Sequence, residues 1–293
     1  MQPGERRPDD LVAIVGRSVR AVPARLRRRA VVDPGHGQLN ALPADWSAVV
    51  ASLRAAGCVF AEDEAELLIA AAPTASDLAR LVEQRVAGRP LEQVLGWAEF
   101  CGLRIAIDPG VFVPRRRSEF LVQQAAAIAQ PDAIVVDMCC GSGAIGAAVA
   151  AVRSIDLYAV DVDPAAVACA RRNINGHVYQ GDLYDPLPAA LQRRVDVLVV
   201  NAPYVPTDEI VFMPPEARLY EAQVALDGGV DGLDIQRRVV ASAPLWLGPD
   251  GTLLIETSDR QSEQTADLIS NVGLKPMVLR SNEFDATVVL GIR

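Results

Sequence analysis

Ala133-Ile134-Val135-Val136-Asp137-Met138-Cys139-Cys140-Gly141-Ser142-Gly143-Ala144-Ile145-Gly146 reads as a buried strand, a glycine turn and the start of a helix. The run from Ala133 to Met138 is apolar except for Asp137, the pattern of a strand covered on both faces. Gly141 and Gly143 let the backbone turn sharply and come close to a ligand. An Ala/Val-rich helix follows to about Val152. The spacing Gly141, Gly143, Gly146 matches the dinucleotide fingerprint, which is a weak signal alone. The next strand, Ile155 to Val160, ends in Asp161, and an acid at that tip commonly takes ribose hydroxyls. The competing reading is a helix-start acid before Pro164. A third strand, His177 to Gln180, ends in Gly181-Asp182-Leu183, and a fourth, Val195 to Val200, ends in Asn201-Ala202-Pro203-Tyr204. Strand ends in this order line the carboxyl edge of a parallel sheet, where ligands bind. The alternation of strands and helices requires an α/β layered fold.

The tetrapeptide Asn201-Ala202-Pro203-Tyr204 supplies a specific grip. Asn201 offers an amide oxygen. The Ala202 carbonyl is a second acceptor, because Pro203 holds its predecessor extended. Tyr204 offers a flat face. Two acceptors and a ring suit a planar –NH2 group. The alternative is an ordinary strand exit with a Pro-Tyr turn, since short motifs match often by chance.

With both motifs in place, the chain resembles the class I methyltransferases that use S-adenosyl-L-methionine, and specifically the protein-glutamine N5-methyltransferases that modify peptide chain release factors. That family's tetrapeptide is Asn-Pro-Pro-Tyr, and Asp137 through Gly143 matches its glycine motif. Gly88-Arg89-Pro90-Leu91, Gly96-Trp97-Ala98-Glu99-Phe100, Val113-Pro114-Arg115 and Glu119 resemble the region ahead of its catalytic domain. Ala225 to Leu233 resembles its acidic, Gly-rich loop, and Leu247 to Gly251 with Glu256 the approach to its fifth strand. The resemblance runs from about Val49 to Arg293. It implies a seven-stranded Rossmann-like sheet with the last strand reversed. It also implies methyl transfer to a glutamine side-chain nitrogen, expected in a Gly-Gly-Gln loop of a release factor, with a ribosomal protein as second choice.

Carried over residue by residue, the resemblance assigns Asn201, Ala202, Pro203 and Tyr204 to catalysis. It assigns Asp137, Cys139, Cys140, Gly141, Ser142, Gly143, Asp161, Asp182, Leu183 and Asn201 to the cofactor, with Asp161 on the ribose and Leu183 against the adenine. Glu256, Phe100, Pro114 and Arg115 are candidates for shaping the substrate pocket. Four departures stand out: Ala202 for a proline, Cys139 for a glycine, Glu256-Thr257-Ser258 for Glu-Ile-Gly, and no arginine after Asp285. They point to a paralogue with a different protein target rather than to a dead enzyme. The competing classes are adenine-N6 methylation of nucleic acid, a non-catalytic cofactor-binding paralogue, and a small-molecule methyltransferase.

Composition narrows these. The chain has 293 residues, ample for a sizeable core, and carries a net charge of −9. Residues 1–30 hold eight arginines against Glu5, Asp9 and Asp10, so the remainder is strongly acidic. An acidic body argues against a DNA-binding enzyme, which needs a broad cationic surface. The arm suits a weak contact with RNA; an extension without a partner is the simpler reading. No apolar stretch approaches a membrane span, and no signal-type segment is seen. Cys58, Cys101, Cys139, Cys140 and Cys169 form no C-x-x-C pair, which fits a reducing cytoplasm. With only His36 and His177 as imidazoles, no metal site is expected. A monomer is expected.

The expected organisation is a basic arm and linker over 1–40, a helical substrate-recognition domain over 41–95 and a methyltransferase domain over 96–293, entered by a hairpin linker over about 96–112. Helices are expected over Ala44 to Ala56, Asp63 to Ala72 and from Thr74 or Ser76 to Ala87. Further helices are expected over Ser118 to Ala129, Leu233 to Leu247 and Gln261 to Asn271. Strands are expected over Thr252 to Glu256, Lys275 to Leu279 and Thr287 to Ile292. No long helix fits between the last two, which therefore form an antiparallel hairpin.

Overall fold

The structure, a computed structural model, describes residues 46–293. The basic arm, its reading as an RNA contact, and the start of the first expected helix lie outside the described residues.

Four helices come first: α1 (Trp46–Ala55), α2 (Ala61–Ala71), α3 (Ala75–Val86) and α4 (Leu91–Leu95). Thr74 caps α3, its side chain accepting from the Asp77 N–H. The fourth helix is one more than the sequence suggested. Pro90 stands at its N-cap with φ −51°, and left-handed Gly96 ends it after a single turn. These helices share a core of their own, with Leu53, Ala65 and Leu68 fully buried. An antiparallel hairpin follows, β1 (Trp97–Phe100) with β2 (Leu103–Ala106).

The main sheet holds β3 (Ala133–Met138), β4 (Ile155–Asp161), β5 (His177–Gln180), β6 (Val195–Val200), β7 (Leu247–Thr257), β8 (Lys275–Ser281) and β9 (Ala286–Ile292). Its spatial order is β5-β4-β3-β6-β7-β9-β8. The first five strands run parallel, and β9 is antiparallel to both of its neighbours. Alternate residues go to opposite faces. Val135, Val197, Leu254 and Val288 join one core with helices α5 (Glu119–Ile128), α6 (Ala144–Val152) and α7 (Pro164–Asn173). Val136, Leu198, Leu253 and Val289 join the other, with helices that follow the short α8 (Pro215–Tyr220), namely α9 (Asp234–Trp246) and α10 (Ser262–Asn271). Coverage on both faces is why the strands read as continuous apolar runs.

From β3 the chain winds outward through β4 to β5, then returns to lay β6 on the other side of β3. That reversal opens a crevice at the carboxyl ends of β3 and β6. Register decides what meets there. Met138 pairs with both Val160 and Val200, and Val200 pairs with Ile255. One residue further along, Asp161, Cys139, Asn201 and Glu256 therefore stand side by side at this edge.

Candidate active site

A cleft of about 380 Å³ sits at this edge, within the range of small-molecule sites. Its wall includes Cys139, Cys140, Gly141, Ser142, Asp161, Asp182 and Leu183 on one side, and Asn201, Ala202, Pro203 and Tyr204 on the other. Gly143 and Asp137 lie behind it. Gly143 is left-handed at φ 77°, and a Cβ there would fall 2.6 Å from Ile174 Cδ1, so this glycine lets the turn dock on α7. Asp137 is buried, and its Oδ2 accepts the Gly146 N–H at 2.8 Å, tying strand to helix. Its Oδ1 has no partner among the described residues, and burial raises its pKa to about 7, against the pull of the Gly146 bond.

Asp161 holds the turn in shape. Its two carboxylate oxygens accept the N–H groups of Gly141, at 2.8 Å, and Asp163, at 2.9 Å. Each oxygen keeps lone-pair capacity for a ligand diol. Asp182 is half-exposed and paired with Arg238 at 2.6 Å, which makes it less available than Asp161. Burial pushes the thiols of Cys139 and Cys140 up, with the nearby carboxylates adding to it, so both stay neutral and line the cleft as apolar groups. A cleft with a free diol acceptor, a backbone turn open to close approach and an apolar floor fits a nucleoside that carries a charged side arm.

At the opposite wall, Asn201 donates through Nδ2 to Ser118 Oγ at 3.2 Å. Among the described residues, nothing donates to Asn201 Oδ1 or to the Ala202 carbonyl, so both acceptors remain free. Tyr204 is pushed up to about 12 by burial and by the Glu256 charge, which keeps a neutral phenol beside the amide. Gln261 clamps the strand exit, its Nε2 donating to the carbonyls of Tyr204 and Asp231.

Ser118 escaped the sequence reading because it reads as the first residue of the helix expected over Ser118 to Ala129. Instead, a 3-10 turn over Arg116–Ser118 precedes α5, and Ser118 makes no cap bond. Its hydroxyl is free for Asn201. Of the candidates for shaping the substrate pocket, Pro114 and Arg115 line the cleft, Phe100 lies in the core, and Glu256 is buried behind Ser118.

The segment Glu216 to Asp234, equally a partner-binding or a solvated loop by sequence, spends much of its charge within the chain. Glu216 pairs with Arg85, Asp227 accepts from Thr207, and Asp231 pairs with Arg237. Glu221 is buried and takes two bonds from Arg115 Nη2, at 2.6 and 2.7 Å. Arg115→Met is expected to cost about 2–3 kcal/mol in urea unfolding, because it strands a buried carboxylate. Glu221→Gln made in the Arg115→Met background is expected to recover part of it.

Comparison with known proteins agrees with this geometry. The methyltransferase small domain family matches residues 102–230. The release factor glutamine methyltransferase of Geobacter sulfurreducens is 38% identical over 199 residues, covering 66% of this chain and 69% of that protein. That of Mycolicibacterium smegmatis is 36% identical over 249 residues, covering 77% of this chain and 88% of that protein. In fold alone, the chain is similar to a methyltransferase from Pyrococcus furiosus, with a TM-score of 0.51 and 16% identity over 75% of this chain and 98% of that one.

Proposed function

The chain belongs to the release factor glutamine methyltransferases, and from that premise we propose that Asn201 and Ala202 hold a release-factor glutamine for methylation at its side-chain nitrogen. The observation that carries this assignment is the pair of free acceptors at the cleft wall, Asn201 Oδ1 and the Ala202 carbonyl, opposite the glycine turn.

An amide nitrogen is a poor nucleophile, because its lone pair is shared with the carbonyl. Asn201 Oδ1 and the Ala202 carbonyl accept its two N–H bonds and fix its plane. Both oxygens are partially negative, so they interact more strongly as the nitrogen becomes cationic during attack. That difference stabilises the transition state over the ground state. Pro203 sets the turn that aims the Ala202 carbonyl, and the neutral Tyr204 ring packs beside the amide. S-adenosyl-L-methionine supplies an electrophilic methyl group on a sulfonium. Asp161 would hold its ribose, Cys139 to Gly143 its methionine end, and Leu183 its adenine. Ala202 in place of a proline leaves the carbonyl intact, since Pro203 alone keeps residue 202 extended.

The helices α1 to α4 serve as the substrate-recognition unit in this reading, tied to α8 by the bonds of Arg85 to Glu216 and of Gln93 to the Tyr220 carbonyl. No helix among the described residues is long and apolar enough to cross a membrane. Five free cysteines suit work in the reducing cytoplasm. Contact of the basic arm with RNA is a separate question, answered by whether removing residues 1–40 lowers salt-sensitive RNA binding.

The test is transfer of labelled methyl to purified release factor, with mass mapping of the product. Label on the Gly-Gly-Gln glutamine is the expected result. Confirmed cofactor binding without transfer to release factor, but with transfer to a ribosomal protein or to nucleic acid, would replace the substrate named here.

A further inference from the structure

We propose that Ser118 and Glu256 are positioning residues that fix which end of the Asn201 amide faces the cleft. The inference rests on the role given to Asn201 above.

The two ends of an Asn amide are nearly the same size and opposite in hydrogen-bonding sense, so only their partners orient them. Among the described residues, the Asn201 side chain has one partner, Ser118 Oγ. Ser118 is 1% exposed, so its own hydroxyl proton needs an acceptor within the protein. The acceptor this assigns is the Glu256 carboxyl, which the pairing of Val200 with Ile255 sets beside Asn201 and whose charged form Ser118 favours. Glu256 is 2% exposed, and among the described residues its Oε2 has no partner. A carboxylate can only accept. Ser118 must therefore donate to Glu256, which leaves its lone pairs toward Asn201. Those lone pairs take only the N–H end of the amide. Oδ1 is then turned to the cleft, where a substrate –NH2 needs it.

Protonation of Glu256 removes this constraint. The acid would donate to Ser118, whose hydroxyl proton would turn toward Asn201 and capture Oδ1. The Asn201 N–H groups would then face the substrate N–H groups, and the grip would be lost. The groups facing Glu256 are few. Arg117, on the 3-10 turn before α5, is the cation that favours the carboxylate. Tyr204, from the loop after β6, stays neutral. From β9 the cross-strand neighbour is the apolar Val288. Burial outweighs Ser118 and Arg117 and lifts Glu256 to about 7. The switch therefore falls within the physiological range.

The experiment follows methyl transfer to release factor from about pH 5.5 to 8.5, for the unaltered chain, Glu256→Gln and Ser118→Ala, with cofactor affinity measured in parallel. For the unaltered chain, kcat is expected to fall about tenfold per pH unit below the Glu256 ionisation and to level off above it. Glu256→Gln is expected to lose this acid limb and, at the upper end, to turn over about tenfold more slowly. Ser118→Ala is expected to lower kcat by about tenfold to a hundredfold, also without the limb, while KM and cofactor affinity stay within about threefold. A limb that survives Glu256→Gln would assign the titration elsewhere, Asp137 first, and overturn the inference. Ser118→Ala at the unaltered rate would do the same. Failure of the unaltered chain to methylate release factor would instead reject the proposed function, and this inference with it.

Discussion

Asn201→Ala is expected to reduce kcat about a hundredfold to a thousandfold while leaving cofactor affinity within a few fold. The size follows from what is lost. One of two acceptors for the glutamine amide disappears, and the Ala202 carbonyl alone cannot fix the plane of the nitrogen. The cofactor side is spared, because Gly141, Asp161 and Leu183 form the opposite wall of the cleft. Calorimetric titration of S-adenosyl-L-methionine beside single-turnover transfer checks both halves. A variant that keeps turnover would remove Asn201 from the role proposed for it. Asn201→Asp is a useful contrast. It keeps an acceptor toward the substrate but loses the N–H given to Ser118. It also sets a second carboxylate near buried Glu256, so an intermediate rate and an acid limb shifted upward are expected.

The second large effect comes from a residue that touches no substrate. Gly232 lies in the Gly-rich segment after the tetrapeptide, at φ 77°. A Cβ there would overlap the Tyr204 carbonyl oxygen and Gln261 Nε2. A Cβ at Gly228 would come within 2.7 Å of the Pro203 carbonyl oxygen. The segment is thus a backbone buttress pressed against Pro203 and Tyr204, latched by the Gly228 N–H to the Val205 carbonyl. Gly232→Ala carries a left-handed penalty of about 1–2 kcal/mol before any clash. The clash is with backbone and can be relieved only by moving Tyr204. A drop in kcat of about a hundredfold is expected, since small misplacements in an oriented reaction cost that much. Thermal melting is expected to fall by several degrees, on the order of 2–4 °C per kcal/mol for a domain of this size. Gly57→Ala, also left-handed but with open space around it, controls for the backbone penalty alone.

Much of this fold is legible in the sequence. Five strands announced themselves as apolar runs because both faces of the sheet are covered, and the strand tips gave Asp161 and Asn201 directly. The terminal pair of strands was recognised as an antiparallel hairpin from the shortness of its connection. Other features were hidden for physical reasons. The single-turn α4 is too short to show a period. The buried bond from Arg115 to Glu221 spans over a hundred residues of sequence, and its carboxylate looked like part of a solvated acidic loop. Ser118 reads as the first residue of an ordinary helix. The link from Asn201 through Ser118 to Glu256 joins three segments that no local pattern relates. The register of β6 against β7 sets Asn201 beside Glu256, and the packing of α5 on both strands brings Ser118 to them.

Arg85 reaches from α3 to Glu64 on α2 and to Glu216 on α8, each at 2.6 Å. Tyr220 answers from the other side, giving its hydroxyl to the Ala87 carbonyl, and Gln93 bonds the Tyr220 carbonyl. The unit of inheritance is therefore not the helical bundle alone. A chimera that borrows residues 46–95 from a relative and keeps its own 214–222 would meet a foreign partner at each of these contacts. Recognition helices and catalytic framework can be exchanged between lineages only when both sequence segments travel together, although more than a hundred residues separate them in the gene.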